Sequence, residues 1–194
     1  MKVTMILALA AGLAWARGTA PERTVTVCSE WRAGGLTVYL AQTRASGIFA
    51  MAGVKIEWRG IRACPTRAIQ VSLLESAPES AHPGALAYSL PFEGIHVFVF
   101  YNRVQRQSSV DPHTLPNVLA SVLVHEITHL LQGMNSHSET GVMKAHWDER
   151  DFDQMRVRPL ALASEDIDRI QRGLDGWRRN AAPVADSLPS VATH

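Results

Sequence analysis

The segment from Leu115 to Gln132 limits the possible folds more than any other part of the chain. Val118, Leu119, Val122, Leu123, Ile127, Leu130 and Leu131 recur across it at helical spacing. Asp111 to Pro116 carries two prolines, with Thr114 as a candidate cap, so the spacing predicts a helix beginning about Leu115. Gly133 should end it, because glycine accepts the left-handed backbone on which helices commonly stop. A domain built on this segment must supply a core to receive its apolar side.

The same helix carries His125-Glu126-Ile127-Thr128-His129, the pattern H-E-x-x-H. Residues four apart share one helix face, so the two imidazoles can bind one ion. Glu126 is offset by one position and can hold a metal-bound water as its general base rather than bind the metal itself. A catalytic zinc takes three protein ligands and keeps a position open. His137, beyond the Gly133 turn, is the first choice for the third ligand. His146 is the nearest competitor, and Glu149 or Glu165 would serve if a carboxylate completed the set. His82, His96, His113 and His194 lack useful spacing.

Around this helix the sequence alternates element types. Thr24 to Cys28, Val54 to Trp58, Ala68 to Leu74, Ala85 to Leu90 and Ile95 to Tyr101 read as strands. Leu36 to Met51 reads as a helix broken near Gly47, and Glu75 to Gly84 as a loop. Asn135 to Pro159 reads as irregular, with Met143 and Trp147 as apolar anchors. Trp147 is given a core role and no catalytic one. Ser164, Glu165 and Asp166 open a last helix with Ile167, Ile170 and Leu174 on one face and Gly176 near its end. This order of elements implies an α+β domain.

The 194 residues fit one domain, and a formal net charge of +1 excludes the strongly basic footprint of a nucleic-acid binder or a polybasic membrane patch. Lys2, the apolar run Met5 to Ala16 and the A-x-A site Ala14-Trp15-Ala16 read as a signal peptide over residues 1–16. That run is too short to span a bilayer, so no stable membrane insertion is expected after cleavage. The domain would then cover 17–179, with a disordered tail over 180–194, in a secreted or periplasmic protein. In an oxidising compartment Cys28 and Cys64 can pair as a disulfide; two separate buried thiols are the alternative.

From about Val124 to Leu174 the chain resembles the metzincin clan of zinc peptidases, and matrixins within it. His125, Glu126 and His129 match the clan's helix, and His137-Ser138 is similar to the third-ligand His-Ser of matrixins. Gly141-Val142-Met143 looks like the approach to the methionine turn, and Leu162 to Leu174 resembles the final matrixin helix. The run His137 to Trp147 is also similar to one in small exported bacterial proteins. The chain departs from the clan spacing: Gly133 stands four and His137 eight residues after His129, a loop two residues longer.

The resemblance implies a metzincin-like α+β fold: a mixed twisted sheet with an edge strand, an active-site helix and a C-terminal helix. It further implies one catalytic Zn2+ and hydrolysis of peptide or protein substrates by Glu-assisted attack of a zinc-bound water. It makes Gly84, Ala85, Leu86 and Ala87 part of the edge strand that pairs with an extended substrate. The alternative is a catalytically silent zinc scaffold that binds or inhibits a partner.

Overall fold

A computed structural model describes residues 23–30, 35–91, 95–108 and 111–181. The expected signal peptide, the first residues after it and positions 182–194 lie outside the described residues.

Alternating apolar residues build the sheet. β1 (Arg23–Glu30), β2 (Val54–Gly60), β3 (Ile69–Leu74), β4 (Ala87–Ser89) and β5 (His96–Phe100) form five strands in the order β2-β1-β3-β5-β4. The β1–β2, β1–β3 and β3–β5 pairs are parallel, and β4 runs antiparallel to β5. Val25, Val27, Val54, Ile56, Ile69, Val71, Val97, Val99 and Ala87 are buried, the alternate residues a strand turns to one face. They join one apolar core with α1 (Gly35–Met51) and α3 (Leu115–Gln132), which pack on each other.

Helix α3 has the predicted bounds, and its environment explains its composition. Sixteen of its 18 residues are buried, so there is no polar face to place in water. Two of its buried polar residues find partners, Asn117 donating to the Met155 carbonyl at 2.7 Å and Ser121 taking the Leu160 N–H at 3.1 Å, whereas the buried Thr128 hydroxyl has none. Gly133 ends it in the left-handed region, φ 66°. Thr114 does not cap it; that residue is already in right-handed helical conformation, closing a short 3-10 turn over Pro112–Thr114.

Four other expectations are corrected. α1 runs unbroken through Gly47, whose exposed position meets nothing that would force a break. The strand expected to reach Tyr101 stops at Phe100, and α2 (Tyr101–Gln107) follows at once, with Val104 as its buried residue. The stretch expected to be irregular contains α4 (Glu149–Met155), a short helix without a long apolar repeat. It is set up instead by a reciprocal capping box between Asp148 and Asp151. α5 (Ser164–Ala181) continues past Gly176 and includes positions 180 and 181.

α5 lies against α3, with Ile170 and Leu174 buried. Gly173 makes this approach possible: a Cβ there would lie 1.9 Å from the Leu131 carbonyl oxygen. A disulfide joins Cys28 in β1 to Cys64, just after the 3-10 turn Ile61–Ala63 that follows β2. Among the described residues, no helix is long and apolar enough to cross a membrane.

Candidate metal centre

The i, i+4 spacing on α3 puts His125 and His129 side by side, with their Nε2 atoms 3.1 Å apart. The Nδ1 atoms are tied to carbonyls, His125 to Val142 at 2.8 Å and His129 to Met134 at 3.2 Å. A carbonyl only accepts, so each Nδ1 carries the proton, and in the neutral rings both Nε2 atoms present lone pairs. Two lone pairs facing each other at that distance are unfavourable unless a cation lies between them. Burial, the largest cause, lowers both histidines to about 4, which keeps them neutral and able to ligate near pH 7.

His137 completes the group. Its ring centroid lies 5.4 Å from that of His125 and 5.0 Å from that of His129. One ring nitrogen from each of the three comes within 4.8 Å of the others. Tetrahedral zinc with Zn–N bonds near 2.0–2.1 Å needs nitrogens roughly 3.3 Å apart. The α3 pair is already at that spacing, and an all-imidazole donor set suits zinc. His146 lines the same cleft but does not belong to the three-nitrogen group. Glu149 sits in the first turn of α4, and Glu165 is paired with Arg169.

The chain that returns His137 to α3 is fastened at several points. The Ser138 N–H donates to the Met143 carbonyl at 2.9 Å, and its hydroxyl donates to the buried Asp166 carboxylate, which also receives Arg169. Asp166 further accepts the Ala163 N–H ahead of α5, so one carboxylate fixes both the helix start and the loop. Gly141 has φ 75°, and a Cβ there would come within 2.6 Å of the Ala161 carbonyl oxygen. Only glycine fits, and the Val142 N–H next to it donates to that same carbonyl. Met143 is fully buried in the core.

Glu126 is also buried, and desolvation pushes its carboxyl up to about 7, with a Ser89 hydrogen bond opposing the shift. Ser89 was not singled out by the sequence. It is two residues from the inward-facing Ala87 on β4, so strand alternation directs both to the same face. Trp147 was read as core only, yet its half-buried ring borders the cleft and stands perpendicular to His125 at 5.8 Å.

The edge strand is shorter than expected. Ala87, Tyr88 and Ser89 pair with Val99, Phe98 and Val97, whereas Gly84, Ala85 and Leu86 form the approach to the strand. Arg103 holds the His82 and Ala85 carbonyls at 2.6 and 2.7 Å, and the Leu86 carbonyl accepts the Phe100 N–H. Among the described residues, β4 pairs on one side only. It lines one wall of a cleft of about 770 Å³ whose other surfaces include the three histidines, Glu126, Trp147 and Phe152.

No family model and no curated protein sequence matches this chain. Among solved structures, archaemetzincin from Methanopyrus kandleri is similar, with a TM-score of 0.54 and 14% sequence identity. The match covers 83% of this chain and 99% of the archaemetzincin chain. The fold is therefore metzincin-like: a five-stranded mixed sheet with an antiparallel edge strand, combined with packed helices.

Proposed function

We propose that the chain is an exported, zinc-dependent metalloendopeptidase of matrixin-like type. The observation that carries this reading is the convergence, in one cleft, of three histidine nitrogens, a buried carboxyl and the unpaired edge of a β-strand. His125, His129 and His137 would hold one Zn2+. The ion supplies Lewis acidity, polarising a carbonyl and lowering the pKa of bound water. Glu126 takes the proton from the attacking water at its carboxylate and later passes it to the leaving amine. Ser89 steadies that carboxylate, and the free edge of β4 aligns an extended peptide by backbone hydrogen bonds. The Cys28–Cys64 disulfide supports the export part of the reading, since such bonds persist in oxidising compartments.

Glu126→Gln tests the mechanism. The variant should retain stoichiometric zinc and lose at least about a hundredfold in cleavage of a peptide library, in keeping with loss of a general base. Full activity in the variant would reject the role of Glu126. Zinc uptake by the wild type with no cleavage of any pool would favour the silent scaffold instead.

A further inference from the structure

We propose that Trp147 is a positioning residue for His125, the first histidine of the metal group, and that α4 fixes His125 through it. This inference rests on the metal-site reading above. The Val142 carbonyl accepts two N–H groups at once, His125 Nδ1 at 2.8 Å and Trp147 Nε1 at 3.1 Å. A carbonyl oxygen has two lone pairs and can take both donors. The indole N–H thus fixes the direction of the carbonyl that sets the His125 tautomer and ring angle. The indole ring also stands at 89° to the imidazole with centroids 5.8 Å apart, blocking its rotation from a second direction. Trp147 therefore meets His125 twice, once through the shared acceptor and once directly.

The indole is itself braced. Phe152, on α4, meets it edge-on at 6.2 Å and 82°. Asp148, the next residue along the chain, caps α4 by accepting the Arg150 and Asp151 N–H groups. The Lys144 ammonium bridges the carboxylates of Asp148 and Asp151. Helix α4 and Trp147 therefore form one stiff unit, and its contact with His125 is the indole. Outer partners of a metal-binding histidine typically change metal affinity 10- to 100-fold when removed.

The test uses the full chain, oxidised and stripped of metal, in the variants Trp147→Phe and Trp147→Leu. Zinc affinity is measured by competition with a chromogenic chelator, and the ligand-field spectrum is recorded after loading with Co2+. Trp147→Phe keeps an aromatic ring and removes the donor. It should bind zinc about tenfold more weakly than wild type, and Trp147→Leu up to about a hundredfold more weakly. The cobalt spectrum of both should shift, because the His125 ring angle is no longer fixed; a loss confined to global stability would leave that spectrum unchanged. Melting of the metal-free chains is compared to verify that each variant is folded. Zinc affinities within twofold of wild type in both variants, with unshifted cobalt spectra, would overturn the proposal while leaving the metal site intact. A wild-type chain that binds no stoichiometric zinc would instead reject the site itself.

Discussion

Replacing Gly173 with alanine sets two effects against each other, and the structure decides between them. In an isolated helix the change is favourable, since alanine exceeds glycine by about 1 kcal/mol in helix propensity. In this molecule the added methyl would lie 1.9 Å from the Leu131 carbonyl oxygen and 2.9 Å from the Gln132 Cα. Both are backbone atoms, so no side chain can rotate to make room. Restoring an ordinary contact requires α3 and α5 to separate by about 1.5 Å, and a gap of that order forfeits a quarter or more of each van der Waals contact across it. Overpacking typically costs about 1–3 kcal/mol, and the buried Ile170 and Leu174 lose partners as well. Because backbone atoms cannot yield, the upper end of that range applies, and subtracting the propensity gain leaves a net loss of about 2 kcal/mol, large against the roughly 5–15 kcal/mol that stabilises a typical domain. Zinc affinity should fall too, because Gln132, three residues after His129, donates to the Asp166 backbone carbonyl and moves with this contact. The assay is urea unfolding of the metal-free, oxidised chain, followed by circular dichroism. Gly47→Ala serves as its control: this glycine is exposed on α1 with nothing within 4 Å, and its replacement should stabilise by about 0.5–1 kcal/mol. A Gly173→Ala chain as stable as wild type would refute the close backbone approach of α5 to α3.

Two further predictions concern charge and covalent linkage. Burial pushes the Glu126 carboxyl from an ordinary 4.5 up to about 7, so its burial cost is absent below pH 4.5 and fully present above 7. Metal-free Glu126→Gln should therefore be more stable than metal-free wild type at pH 8, by up to about 3 kcal/mol, with the gap closing as the pH falls to 4.5; a gap independent of pH would contradict the burial of a titrating carboxyl. The Cys28–Cys64 bond closes a segment of 36 residues, which chain-entropy reasoning values at about 4 kcal/mol. Reduction should lower the urea midpoint accordingly, and an unchanged midpoint would show that the bond constrains nothing in the unfolded chain.

What the sequence determined alone is the local part. The extent of α3, its glycine stop and the shared face of His125 and His129 all follow from interactions between residues a few positions apart, as do the centres of β1, β2 and β3. The weaker local signals misled. Gly47 reads as a breaker although an exposed helix tolerates it, and α4 lacks the apolar repeat by which a helix is recognised. The Asp148–Asp151 capping box that starts it was not singled out from the sequence.

Tertiary structure alone decided how the site is assembled. His137 reaches the α3 histidines because Ser138 bonds to Asp166, 28 residues on, and because Val142 bonds to the Ala161 backbone across the close approach at Gly141. Trp147 becomes a neighbour of His125 through the Val142 carbonyl, and Ser89 a partner of Glu126 through the place of β4 in the sheet. Periodicity records which face of an element is apolar, but it holds no information about which distant backbone group will meet that face. Packing around the nearly enclosed α3 supplies that information, and with it the third histidine, the bracing indole and the open strand edge.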